Sequence, residues 1–311
     1  MVEALRMVLE TTPDVVALPE LPARGVGADM IGRTAAMLSG LGVDLQPAGW
    51  RLTDNSGADH RRALSLLRRD LDDLEEHAQG YDGIVKFAVA GPWTMAALVE
   101  RPRGDKVLAD HGARRELAQS LAAGVGDLLD ELRRRLPTVT WWLQVDEPLL
   151  TAVLAGGIDT ASSWSKHRAV DPAGAAELLD LFSGLAETTG VHWCGRPNLN
   201  VMQRTDFGAA AVEVTALVGD DLDGLSQWLE SGRQVWWGAV PTDQPDQLAS
   251  IDSAADRLYR LFEVLGLDAD VLLAGLVTPA CGLGTWSAGP AREALRHAVR
   301  VAEVVTERVH D

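Results

Sequence analysis

Two cysteines, each closing an apolar run, are the residues of this chain best suited to chemistry. Cys194 ends Val191-His192-Trp193-Cys194, and Cys281 follows Thr278-Pro279-Ala280. If the first run is a strand, His192 and Cys194 project from one face, about 7 Å apart. A single ion between them could take a nitrogen at about 2.0 Å and a sulfur at about 2.3 Å, with Cys281 as a third ligand from another strand end. Three protein ligands leave a zinc site open to substrate, which is its catalytic form. Taken singly, each residue has a plainer reading: free cysteine is among the most buried residue types, and a lone histidine is more often structural. The combination points to a metal.

Other polar residues sit at the ends of apolar runs. Glu20 lies in Leu18-Pro19-Glu20-Leu21-Pro22, and Gly91-Pro92-Trp93-Thr94-Met95 closes a second run. In Gln144-Val145-Asp146-Glu147-Pro148, Gln144 and Asp146 share a face and Glu147 takes the other. Asp146 or Glu147 could instead cap a following helix. Glu213 and Thr215 share a face of a further run, whereas the run at 234–240 offers nothing titratable before Asp243. Trp93, Trp193 and Trp286 adjoin these ends and could wall a pocket.

These residues need a scaffold. Strands are predicted at 14–21, 84–90, 138–145, 191–194, 209–217, 234–240 and 271–277. Helices are predicted at 2–11, 29–41, 59–79, 109–136, 172–188, 221–231, 246–266 and 290–309, with an inserted hairpin or loop at 42–52. Such alternation implies parallel βαβ units. Polar residues collected at many strand ends favour a TIM (β/α)8-type barrel over an open doubly wound sheet, which would carry a Gly-x-Gly-x-x-Gly after its first strand. A full barrel needs a strand ahead of the first helix. The reading therefore expects one barrel domain over 1–311 whose first strand is missing, with a seam between the first and last visible strands.

At 311 residues and 47% hydrophobic, the chain can bury a core of that size. Its net charge of −17 argues against nucleic acid or an anionic membrane as partner. Two cysteines make no disulfide framework, and neither a signal peptide nor a membrane span is apparent, so a cytoplasmic protein is expected.

Gln144-Val145-Asp146-Glu147-Pro148, His192-Trp193-Cys194 and Pro279-Ala280-Cys281-Gly282-Leu283 resemble, in order and spacing, the C-terminal catalytic barrel of the cobalamin-independent methionine synthase family. Gly91-Pro92-Trp93-Thr94 resembles its Gly-Pro-x-Thr turn, and Glu20 with Asp29-Met30 its substrate-binding glutamate segment. The resemblance implies Zn2+ held by His192, Cys194 and Cys281. The zinc would bind homocysteine as a thiolate that attacks the methyl group of a methylated folate. It implies that Asp146 and Glu20 grip the ammonium of the amino acid, with Gln144 and Trp93 lining the substrate site. The fourth ligand of the family aligns at Thr215, with Glu213 two residues earlier on the same face and able to serve.

Some family features have no counterpart here. The N-terminal folate-binding barrel and the Gly-Ser-x-Pro loop find no match in these residues and are expected to be missing, and no histidine stands near Val240-Pro241-Thr242-Asp243. Gly284 and Trp286 replace the Lys and Arg that usually follow the last cysteine. Those differences open the possibility of a methyl donor carried by a corrinoid protein. The competing readings are a uroporphyrinogen decarboxylase-like barrel, for which Arg24 and Arg196 are the available mouth arginines, and a non-catalytic relative.

Overall fold

The computed structural model describes residues 1–245 and 247–310. α1 (Val2–Thr11) leads into a short β1 (Val15–Ala17), and α2 (Met30–Ala35) follows, capped by Asp29, which accepts the Gly32 N–H at 2.7 Å. An antiparallel hairpin, β2 (Gly42–Gln46) and β3 (Gly49–Thr53), precedes α3 (Ala58–His77). Then come β4 (Ile84–Ala90), α4 (Pro92–Leu98), α5 (His111–Arg135), β5 (Thr140–Asp146), α6 (Leu150–Leu154) and α7 (Pro172–Leu179). The chain continues through β6 (Thr188–His192), α8 (Leu199–Met202), β7 (Ala209–Glu213), α9 (Leu222–Glu230) and β8 (Gln234–Val240). It ends with α10 (Ile251–Leu265), α11 (Ala269–Leu273), β9 (Leu276–Pro279) and α12 (Ala288–His310). None of these helices is long and apolar enough to cross a membrane.

One parallel sheet has the order β1-β4-β5-β6-β7-β8-β9. The sheet is curled. Val15 of β1 and Leu276 of β9, at its two edges, pack on the same interior cluster of Trp142, Ala209, Ala211 and Trp236. Trp142 and Trp236 stack there with centroids 5.5 Å apart. Gly190 makes room for them, since a Cβ on it would meet the Trp236 ring at 2.6 Å. Among the described residues β1 pairs only with β4 and β9 only with β8, so the ring is open between them, while α1 packs on both α12 and α3 outside that gap. Because every strand runs the same way, all seven carboxyl ends face one rim, where such folds place their chemistry.

Several elements differ from expectation, for local reasons. The strand at 14–21 shrinks to three residues because Pro19 and Pro22 lack the N–H that a sheet requires. The helix at 172–188 ends at Leu179, and that at 29–41 ends at Ala35. Residues 269–273 form a helix where a strand over 271–277 is predicted. The chain enters the sheet only after Gly275, which passes so close to Val235 that a Cβ would lie 1.8 Å from its carbonyl oxygen. Asp246, where the predicted helix 246–266 begins, lies outside the described residues.

Candidate metal centre

The strand carrying His192 ends at that residue, and Cys194 lies in the turn beyond it. The pair is therefore brought together by the turn and not by strand alternation. Cys194 Sγ stands 3.9 Å from His192 Nε2, well inside the spacing expected for neighbours on one strand face. Gly195 makes the turn possible: its φ of +81° lies in the left-handed region that favours glycine. Cys281 arrives from the other side, just past β9. A bulge between Gly238 and Val240 and the Ala280 N–H to Val240 carbonyl bond (2.8 Å) steer it to the rim. Gly238 permits this approach, since a Cβ there would lie 2.9 Å from Ala280 Cα. The two sulfurs are 3.2 Å apart, and the donor atoms of His192, Cys194 and Cys281 all fall within 4.8 Å of one another.

Those separations suit one tetrahedral ion. Bond lengths of about 2.0 Å to nitrogen and 2.3 Å to sulfur place neighbouring ligand atoms roughly 3.5–3.8 Å apart. The electrostatics also suit a cation. The Cys194 thiol and His192 draw Cys281 down to about 4, so one sulfur is a thiolate. The hydrogen bond to Cys281 and burial push Cys194 up, so the pair shares one proton that an incoming cation would displace. Burial works against charge on His192, but Cys281 and Asp146 outweigh it and its pKa is raised.

Glu213 ends β7 beside this group. Its Oε2 accepts the Gly195 N–H at 3.2 Å and its Oε1 the Thr215 hydroxyl at 2.7 Å. The strand stops at Glu213 and Thr215 turns out to solvent, so Thr215 orients the glutamate from outside.

Asp146 sits at the end of β5 in register with His192. Gln144 Nε2 donates to its Oδ1 at 2.7 Å, and burial pushes its carboxyl up to about 6, with Glu20 adding to the rise. Glu20 is thus within electrostatic reach, but one of its oxygens is already engaged. The buried Arg33 of α2 donates to Glu20 Oε1 and also to the Ala88 carbonyl at 3.0 Å. The loop after β9 meets this segment, where a Cβ on Gly284 would lie 3.0 Å from Pro22 Cδ. Glu147 faces away, fully buried. It caps α4, not the helix that follows it: Oε1 accepts the Trp93 N–H at 2.8 Å, and Oε2 accepts the Thr94 N–H at 2.7 Å and hydroxyl at 2.6 Å.

Trp93 does not line the mouth. It is buried in the helix layer, its indole N–H donating to the Ala175 carbonyl of α7 at 2.9 Å, because its Cα lies on a helix whose outer face meets α7. Trp193 is likewise buried, while Trp286 is partly buried against the main core. The mouth arginines of the decarboxylase reading are committed elsewhere. Arg24 is paired with the buried Asp70 and Arg196 with the buried Asp221.

Two residues of the site escape a reading by motif. Arg33 sits in a six-residue helix with no pattern to single it out. Lys86 had a signal, a lone charge within Ile84-Val85-Lys86-Phe87-Ala88, on the face that Ile84 turns to the interior. Burial lowers its ammonium from 10.5 to about 8, partly offset by Asp146 on β5; His192 on β6 and the Trp236 ring on β8 also face it. Between those values the unfolded chain holds a proton that the folded chain has lost, so stability rises with pH from about 8 to 10.5 and the full penalty persists below 8. The change is expected to reach about 3 kcal/mol at most. Urea midpoints of wild type minus Lys86→Met, taken at pH 7 and pH 10, isolate it, and a difference that does not vary with pH contradicts it.

Residues 82–304, more than half of the chain, match the family model described as "Cobalamin-independent synthase, Catalytic domain". Among solved structures, the fold matches a B12-independent methionine synthase from Shewanella sp. W3-18-1 in complex with selenomethionine. The TM-score is 0.64 at 17% identity, covering 99% of this chain and 88% of that one. No curated protein matches the chain.

Proposed function

The chain belongs to the cobalamin-independent synthase catalytic-domain family, and from that premise we propose that it is a zinc-dependent methyltransferase converting homocysteine to methionine. The observation that carries this reading is the meeting of His192, Cys194 and Cys281 within 4.8 Å at the rim, with Asp146 beside them. Those three residues would hold the zinc, with Glu213 as a fourth ligand that would yield its position to an incoming thiol. Bound there, zinc keeps an incoming thiol ionised at neutral pH, where a free thiol of pKa about 8.5 is mostly protonated.

The chain's own residues do the rest. Asp146 accepts the ammonium of the amino acid, which places the thiol end toward the sulfurs and imidazole. Gln144 holds one oxygen of that carboxylate. Glu20 lies close by, but with Arg33 on one oxygen it contributes a weaker field than a free carboxylate, so Asp146 carries most of the recognition. The donor in this reading is a methylated folate; membership of a cobalamin-independent family gives no support to a corrinoid protein in that role.

The test is methionine formation by the zinc-loaded protein from homocysteine, with methylated folate and methylcobalamin supplied in parallel. Methionine from the folate is the expected result. Turnover with methylcobalamin alone overturns the assigned donor, and no methionine from either, with no binding of homocysteine, overturns the reading.

A further inference from the structure

The chain has three lysines, and one of them points into the barrel. The Lys86 ammonium lies 5.0 Å from the Trp236 ring centroid and donates to Gln144 Oε1 at 2.7 Å. Gln144 Nε2 then donates to Asp146 Oδ1 at 2.7 Å. The order of these groups follows from their chemistry. An ammonium has donors and no acceptor, so the end of the Gln144 amide that meets Lys86 must be its oxygen. The NH2 end is thereby turned toward Asp146. Trp236 also attracts the ammonium, through its ring face. The indole is itself fixed by stacking on Trp142 and by the space left at Gly190.

We propose that Lys86 is a positioning residue for amino-acid binding: it locks the Gln144 amide, which fixes Asp146 through Oδ1 and leaves Oδ2 to accept the ammonium of the substrate. Among the described residues no side-chain or backbone donor reaches Asp146 Oδ2. The proposal rests on the functional reading of Asp146 given above and extends it to a side chain outside the proposed ligand set. Without Lys86 the amide is free to rotate. Its oxygen can then face Asp146, where two acceptors repel.

The experiment titrates zinc-loaded wild type, Lys86→Met and Gln144→Glu with homocysteine, and separately with 4-mercaptobutanoate, the same thiol acid without the amino group, by calorimetry. A hydrogen bond to a charged group contributes enough for its loss to weaken homocysteine about tenfold in both variants. The affinity for 4-mercaptobutanoate is expected to stay unchanged, as is zinc content, and Lys86→Arg should recover part of the loss. Gln144→Glu keeps the size of the side chain and serves as the second variant if Lys86→Met folds poorly. Equal weakening of both thiols, or no weakening of homocysteine, overturns the proposal while leaving the function standing. Failure of wild type to bind homocysteine overturns the function and this proposal with it.

Discussion

Cys194→Ser protein, loaded and dialysed beside wild type, is expected to retain less than a tenth of the zinc and to lose methyl transfer by about three orders of magnitude. The substitution leaves the volume almost unchanged and removes a soft anionic donor. His192, Cys281 and Glu213 remain, but with one thiolate in place of two that set grips zinc far more weakly. A metal that keeps a nucleophile ionised contributes several kcal/mol to its reaction, which sets the size of the loss. Cys194 is exposed in a turn, tied to β7 by the Gly195 N–H to Glu213 bond, so folding should survive. Unchanged melting with lost metal is the expected pattern. Full zinc content in the serine variant, measured by metal analysis, would falsify the assignment.

The legibility of this site in the sequence was uneven, and the reasons are physical. His192, Cys194 and Cys281 could be read because ligand types at strand ends are rare and their order along a βαβ chain fixes which rim they reach. The turn at Gly195 could not: strand alternation placed the pair about 7 Å apart, while the turn brings the ligand atoms to 3.9 Å. Glu213 and Thr215 shared a face only if the strand ran on. It stops at Glu213, so only Glu213 keeps the direction that strand alternation gives it. Gly91-Pro92 is legible as the end of a strand, but Trp93 and Thr94 belong to α4 and not to a turn, and the direction of Trp93 depends on where α7 packs, a tertiary fact with no local signal.

Charge neutralisation was the hardest thing to read. Nothing local signals that Arg33 of α2 pairs with Glu20, or that Asp70 and Asp221 pair with Arg24 and Arg196. In each case the partner is remote in sequence or sits in an unremarkable helix. Strand bounds, by contrast, are legible at 84–90 and 234–240, where apolar runs bounded by Gly and Pro leave little freedom, and both strands match to the residue.

Glu147 supports the second large effect, on stability. The adjacent acids of Asp146-Glu147 point to opposite faces, one into the barrel and one into the helix layer, and the second carries structural weight. Glu147→Ala removes the acceptor from two backbone N–H groups and one hydroxyl at the buried start of α4. An unsatisfied buried donor costs about 1–3 kcal/mol, and the three cannot reach water without opening the helix. The expected loss is about 4 kcal/mol, read as the shift in urea midpoint multiplied by the slope. Glu147→Gln should lose less, since its carbonyl oxygen still accepts part of the set while its NH2 faces donors. Gly91 belongs to the same unit: a Cβ on it would stand 2.3 Å from Glu147 Oε1, so Gly91→Ala should displace the carboxylate and reproduce much of the Glu147→Ala loss. If Glu147→Ala unfolds at the wild-type midpoint, the buried carboxylate is not what holds α4 against the strand ends. The residue would then have to be sought among those that act on substrate, despite facing away from it.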